Sequence, residues 1–594
     1  MNPGSQLHHD GSGLYVSNSA PALGDLVAVR LRVPAELQLD LVQIRSLEDA
    51  EPRRHDAVVS SMDGIDRWYT AQLPIRNPLA RYRWYVRGPE LGWGWLTAAG
   101  WYPHDVPDAF DFSIAAAPPT PSWAATAVAY QVFPDRFAAS GRQYTLPEWA
   151  VPRPWHERPE PRRRNPGFEY FGGDLWGLLE HLDHLQDLGV TLLYLTPFYP
   201  ANTTHRYDAT SFQHVDPLLG GDEALVALVE AAHGRGLRVM GDLTLNHSGR
   251  HHEWFLRAQA GDPGFRDFYM FDPALPHGYE CWWGFPSLPK FNWRSEGLRE
   301  QMITGETSVV RRWLRPPYAL DGWRIDVANM MARNGDLDLN REVARLVRRT
   351  VEEEGPDKLL IAEHFHDAGD DLDGRSWHGT MNYVAFRGPV VSWLAAPDSA
   401  LAIDRVDGNQ MVAALRMAAG RMPWRSLAGS WNLLGSHDTA RARSVFGDRQ
   451  TAAATLLVTL PGTPMVFAGD EFGATGDWGE DGRVTMPWDD AEARDMRTMA
   501  DYRALLALRR SHSALAGGGL RWVHVGADLV SFLRETVDER VLVVVARAAG
   551  TWSVDVGRFG ITELIQEFGL PVALQGGRLS IDWASPGAGI WSVR

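Results

Sequence analysis

The sequence predicts an α/β chain: a (β/α)8 TIM barrel with a subdomain inserted after its third strand, flanked by N- and C-terminal β-sandwich domains. Three observations predict it. Eight apolar runs in the middle of the chain each end in a polar tip, and stretches between them carry helical periodicity. Both ends of the chain read instead as short alternating segments separated by Gly, Pro and Asp. The interval from His247 to Asp321 is far too long for a strand-to-helix loop.

In chain order, VAVRLRV, LVQIRSL, WYTAQLPI, RYRWYVRG and FDFSIA alternate between Leu26 and Ile114, giving a β-sandwich within residues 1–118. AAAPPTPSW, 115–123, breaks the pattern with prolines that cannot join a central strand, and a domain boundary falls there. The barrel, residues 119–510, takes its strands from AVAYQVFP (127–134), VTLLYLTPF (190–198), LRVMGDLTLNH (237–247), GWRIDVAN (322–329), LLIAEHF (359–365), GTMNYVAF (379–386), SWNLLGSHD (430–438) and TPMVFAGDE (463–471). LWGLLEHLDHLQDLG and DEALVALVEAAHGRG between them are amphipathic, and the second closes on a glycine as a helix stop does. The insert covers about 248–297 and begins rich in Trp, Phe, Gly and Pro. From 511 to 594, LRWVHVG, DLVSFLRE, RVLVVVAR, TWSVDVG, RLSIDW and GIWSVR form a second sandwich.

Composition narrows the partners. Lys+Arg 58 against Asp+Glu 74 leaves a net charge of −16, which argues against nucleic acid or an anionic membrane surface and favours a neutral or cationic substrate. The single cysteine, Cys281, excludes an intramolecular disulfide and reads as a small buried hydrophobe. The N-terminus lacks a basic region followed by an apolar run, and no uninterrupted apolar stretch of ~18 residues occurs, so a cytoplasmic protein is expected.

Active sites of barrels of this kind lie at the C-terminal ends of the strands. GWRIDVANM, 322–330, should be a buried strand, yet Arg324 and Asp326 share one of its faces. The other tips supply Asp242, Asn246 and His247, then Glu363, then His437 and Asp438. Burying three carboxylates together without a metal is costly and forces their pKa values apart. One ionised nucleophile and one protonated acid is what retaining glycoside hydrolysis requires.

DLTLNH (242–247), GWRIDVAN (322–329), IAEHF (361–365) and LLGSHD (433–438), in that order, resemble the four signature regions of the α-amylase superfamily, glycoside hydrolase family 13. The resemblance implies that Asp326 is the nucleophile, Glu363 the general acid/base and Asp438 the carboxylate stabilising the transition state. It implies that Arg324 keeps Asp326 ionised while Glu363, further from the cation, stays protonated. His247 and His437 would hydrogen-bond the reacting sugar. HRYDATSF, 205–212, resembles a loop whose tyrosine stacks on that sugar, which assigns Tyr207, with His205 and Asp208 as weaker candidates. Asp242 and Asn246 either contact substrate or tie down their loop.

YECWWGFPSLPKFN, 279–292, is similar to the neopullulanase, cyclomaltodextrinase and maltodextrin glucosidase branch, whose N-terminal sandwich often mediates dimerisation, so a homodimer is expected. AEHFHDA, MNY and SHDTAR are similar to bacterial maltodextrin glucosidases. The implied substrate is a short or cyclic maltooligosaccharide; release of glucose and hydrolysis of a branched cyclic tetrasaccharide are the alternatives. Trp282, Trp283 and Phe365 would line the leaving-group side. Phe291 and Leu288 replace the branch's Leu and Met, and Met330 stands where many neopullulanases carry Glu, which leaves transglycosylation and the α-1,4/α-1,6 preference open. FPDRFAASGRQ places Ala139 and Ser140 where calcium-binding relatives have oxygen-rich ligands, and Asp174 alone makes no cage, so neither metal nor cofactor is expected. Two other classes compete: a metal-dependent barrel hydrolase using His364 and His366, and a non-catalytic carbohydrate-binding protein, which would have lost the carboxylates retained here.

Overall fold

The computed structural model describes residues 6–160, 167–399, 401 and 403–594. Its centre is a closed parallel barrel of β1 (Ala129–Val132), β2 (Leu192–Leu195), β3 (Arg238–Thr244), β4 (Gly322–Asp326), β5 (Leu359–His364), β6 (Gly379–Asn382), β7 (Trp431–Leu433) and β8 (Thr463–Phe467), with β8 pairing back to β1. Each strand lies inside one of the eight apolar runs. Apart from Arg238 at its start, every strand residue is buried, because parallel strands are covered on both faces. The register sets the working end: Asp242 pairs with Arg324, Thr244 with Asp326, and Ile325 with Ala362, so the tips of β3, β4 and β5 stand side by side.

LWGLLEHLDHLQDLG is two helices, Leu175–Glu180 and Leu182–Leu188, divided at His181 and stopped by Gly189 at φ +93°. The next long helix, Gly221–Gly234, buries Leu225, Leu228, Val229 and Ala232, and the chain leaves it through Gly236 at φ +75°. The segment between β3 and β4 carries the helix Glu253–Gln259 and folds back on itself through isolated bridges, His247 to Lys290 and Cys281 to Pro289 among them. Cys281, expected inside, is only half-buried there, next to the turn Trp282–Gly284, which buries none of its residues.

In the N-terminal domain a three-stranded sheet of Leu26–Pro34, Asp66–Pro74 and Val58–Met62 packs with a larger sheet built on Leu41–Glu48 and Leu79–Gly88. Val27, Val29, Leu31 and Val33 point inward at every second position. Glu51–Asp56, Val58–Met62 and Gly100–Tyr102 here, and Leu564–Gly569 and Ala573–Gln575 in the C-terminal domain, were not legible in the sequence. All are edge strands, and they carry no continuous buried stripe. The two outer domains meet: Arg32 bonds Asp66 at 2.6 Å and Glu535 at 3.2 Å, and Asp10 accepts the Leu520 N–H at 2.9 Å. Among the described residues no helix is long and apolar enough to cross a membrane.

Candidate active site

The fully buried guanidinium of Arg324 is the hub of the barrel's C-terminal end. Its Nη1 lies 3.0 Å from both Asp242 and Asp326, and its Nη2 lies 2.7 Å from Glu363 Oε1. This corrects the expectation that Glu363 sits further from the cation than Asp326. β4 and β5 are neighbours in register, so a side chain rising from Arg324 reaches between both carboxyls. A second donor holds Glu363: the Val327 N–H reaches its Oε2 at 2.8 Å. Val327 directs that N–H from φ +45°, a conformation that a β-branched residue adopts only when its surroundings impose it. Burial, followed by the Glu363 charge, pushes the Asp326 carboxyl well above its usual range; burial carries Glu363 up to about 7 against the pull of Arg324. Both carboxyls are thus raised, where Arg324 was expected to keep Asp326 ionised: burial and the neighbouring carboxylate outweigh the cation.

Asp242 is a positioning group. It accepts from Tyr194 Oη at 2.6 Å and Tyr207 Oη at 2.9 Å and is closed off by Arg324. Tyr207 in turn lies parallel to His437, ring centroids 5.5 Å apart, with its hydroxyl 2.8 Å from His437 Nε2. The tautomer of His437 follows from a residue the sequence reading passed over. The His437 backbone N–H can only donate, and it does so to Gln131 Oε1 at 3.0 Å. That fixes the Gln131 amide, whose Nε2–H then donates to His437 Nδ1 at 2.9 Å. Burial holds the ring neutral, with its pKa pushed down to about 3, so its one proton is on Nε2, facing Tyr207 Oη and Asp438 Oδ2 at 3.1 Å. Asp438 itself is held below its usual range. Burial alone would raise it, but His437 and Arg483 overcome that, Arg483 Nη2 lying 3.3 Å from its Oδ1.

Beside His247, Asn246 Nδ2 lies 3.0 Å from His247 Nδ1, and burial holds the ring neutral, with its pKa pushed down to about 3. Trp282 stacks on His247 at 5.6 Å and Trp283 on Trp282 at 5.1 Å, a run of rings leading from the barrel outward to Trp283, which is 72% exposed. Trp282 Nε1 points at Met330 Sδ, 3.3 Å away. Across the mouth, exposed Phe365 stacks on Tyr383 at 3.9 Å. Two weaker candidates support the loop: His205 Nδ1 accepts the Tyr207 N–H at 3.2 Å, and Asp208 accepts from the Asn202 N–H at 3.2 Å.

Asp174 and His364 are both held by neighbouring groups. Asp174 caps the helix Leu175–Glu180 through the Gly177 N–H and accepts from Ser140 and Tyr144. His364 Nε2 lies 3.1 Å from Asp371, itself paired with Arg333, and the His364 and His366 ring centroids are 6.0 Å apart. Among the described residues no group of three or more His, Cys, Asp and Glu side chains is arranged to hold a metal ion.

The family description "Alpha amylase, catalytic domain" matches residues 131–512. Over 442 residues the chain is 31% identical to Neopullulanase 2 of Thermoactinomyces vulgaris, covering 72% of this chain and 70% of that one. Among solved structures, a cyclomaltodextrinase superposes with a TM-score of 0.75 at 25% identity, covering 98% of this chain and 99% of that one. Cyclic α-maltosyl-(1→6)-maltose hydrolase from Arthrobacter globiformis, in its ligand-free form, superposes with a TM-score of 0.67 at 30% identity over 80% of this chain and 100% of that one. With the matched region spanning the closed barrel and all three carboxyls at its C-terminal end, the chain belongs to the α-amylase family of glycoside hydrolases.

Proposed function

We propose that the protein hydrolyses the α-1,4 bonds of short linear or cyclic maltooligosaccharides with retention of anomeric configuration. The observation that carries this reading is the seating of Asp326 and Glu363 on the two terminal nitrogens of one guanidinium, with Asp438 alongside. Carboxyls held on one guanidinium favour the short separation, about 5 Å, of retaining enzymes over the about 6.5–9.5 Å that leaves room for water in inverting ones. Asp326 Oδ attacks the anomeric carbon while Glu363 gives its proton to the departing glycosidic oxygen. The resulting glycosyl ester is cleaved by water, whose proton returns to Glu363. Asp438, kept ionised beside Arg483, and the imidazoles of His437 and His247 hold the sugar's hydroxyls, and Tyr207 supports its apolar face.

Trp282, Trp283 and Phe365 receive the leaving-group side, and Met330 leaves that side without a carboxylate. Val58, Val59 and Met62 on the edge strand Val58–Met62 are all more than half exposed, which suits pairing of two copies through the N-terminal domain. A cytoplasmic setting fits the lone Cys281. NMR of the products tests the mechanism: wild-type protein releases the α-anomer first from maltotriose or a cyclodextrin, and Asp326→Asn and Glu363→Gln are inactive. Inverted product, or near wild-type turnover in either variant, overturns it.

A further inference from the structure

The segment 327–333, which follows β4, carries two non-glycine residues in the left-handed region, Val327 at φ +45° and Ala332 at φ +60°. Residues with a Cβ keep that conformation only where their surroundings impose it. The buried side of the turn is held by Asn340, whose Nδ2 reaches the carbonyls of Ala328 at 2.7 Å and Met331 at 2.8 Å. Its open side is held by Arg333. Nη1 of that side chain folds back to the Asn329 carbonyl at 2.6 Å, and its two terminal nitrogens clasp the Asp371 carboxylate at 3.2 and 3.0 Å. The inserted segment joins at the same residue, because Lys290 Nζ donates to the Arg333 carbonyl at 2.6 Å.

Asp371 belongs to the segment after β5, and it holds the end of that strand as well. His364 Nε2 lies 3.1 Å from Asp371 Oδ2; an ionised carboxylate only accepts, so the ring donates. Burial alone would raise the Asp371 carboxyl, but His364 and Arg333 keep it well below its usual range. His364 follows Glu363 in β5, and Glu363 Oε2 accepts the Val327 N–H at 2.8 Å. The contacts close a ring that runs from Glu363 through Val327 and the turn to Arg333, then through Asp371 and His364 back to Glu363.

We infer that Asp371 is a positioning residue for Glu363, a role that rests on the acid/base reading of Glu363 proposed above. By clasping Arg333, Asp371 keeps the turn after β4 in the conformation that aims the Val327 N–H at the acid/base carboxyl. That N–H favours the ionised form, which Glu363 takes as it hands its proton to the departing oxygen. Losing it slows the step and raises the pH at which Glu363 ionises. Glu363 also faces Arg324 and Asp326 from β4, Asp242 from β3, and Asp438 and Tyr383 from beyond β7 and β6. Substitution of Asp371 or Arg333 alters none of these groups.

The pH profile of kcat/KM on maltotriose, with hydrogen exchange of the full chain free of substrate, tests this in Asp371→Asn and Arg333→Gln. In both variants exchange at Val327 quickens, kcat falls about tenfold with KM near its wild-type value, and the basic limb moves to higher pH. Charge removal acting through space would instead move that limb in opposite directions, down on losing the Asp371 anion and up on losing the Arg333 cation. Opposed shifts therefore overturn the positioning role. Arg333 is half-exposed and tolerates Gln even if Asp371→Asn does not fold. Unchanged exchange at Val327 in Arg333→Gln, or an unmoved basic limb, overturns the role as well. Near wild-type turnover in Glu363→Gln overturns instead the acid/base reading beneath it.

Discussion

Gln131→Glu is a nearly isosteric change with a specific consequence. In the wild type, Gln131 accepts from the His437 N–H at 3.0 Å and donates to His437 Nδ1 at 2.9 Å. A carboxylate keeps the first bond and inverts the second, because two acceptors cannot face each other. His437 must then place a proton on Nδ1. It either loses the Nε2–H that faces Asp438 at 3.1 Å or becomes an imidazolium, reversing the burial that now holds its pKa at about 3. A hydrogen bond to a charged group contributes about 1.5–3 kcal/mol. At about 1.4 kcal/mol per decade, kcat/KM should fall roughly 10- to 100-fold. The direct assay is ¹⁵N NMR of histidine-labelled protein: Nδ1 of His437 is unprotonated in the wild type and protonated in Gln131→Glu. Gln131→Met removes both bonds, orphans the buried His437 N–H and should cost about 1–3 kcal/mol of stability. A wild-type proton on Nδ1, or a Gln131→Glu protein with unchanged His437 resonances and full activity, refutes the tautomer argument.

Glu363→Gln should stabilise the protein at alkaline pH. Burial raises Glu363 to about 7, so between its unfolded pKa and 7 the folded chain holds more protons. Its contribution is therefore most favourable below the unfolded pKa and is lost as pH rises through 7, a penalty of at most on the order of 3 kcal/mol. Thermal melts should show Tm of the variant exceeding wild type at pH 8 and converging towards pH 4; an offset independent of pH would contradict this. Arg483→Met removes the cation 3.3 Å from Asp438, so the acid limb of kcat/KM should move to higher pH with a loss of about tenfold at its maximum; an unmoved limb assigns Asp438's ionisation elsewhere. Met330→Glu gives Trp282 Nε1 a charged acceptor in place of the sulfur at 3.3 Å and should raise the ratio of transglycosylation to hydrolysis products from concentrated maltotriose, read by chromatography. An unchanged ratio would remove Met330 from the acceptor side.

Much of this architecture is legible without coordinates. A strand buried on both faces must be apolar along its length, so the eight runs stood out, and any charge among them was conspicuous. Arg324 in GWRIDVANM drew attention for that reason. Gln131 in AVAYQVFP was the same anomaly in milder form, an amide in a wholly buried strand, and it proved to set the tautomer of His437. Edge strands such as Val58–Met62 escaped because their exposed residues carry no pattern that burial would impose.

By itself, the sequence determined the succession of strands, their polar tips and the family to which the chain belongs, since periodicity and polar interruptions are properties of the chain. Only the tertiary structure decided which carboxyls burial raises and which cation serves which acid. Arg483, 45 residues beyond Asp438, joins His437 in holding that carboxylate below its usual range, and the register of β4 against β5 puts Glu363 as close to Arg324 as Asp326 is. Ionisation depends on burial and on distances of a few ångströms between residues remote in the chain, and those distances exist only once the barrel has closed.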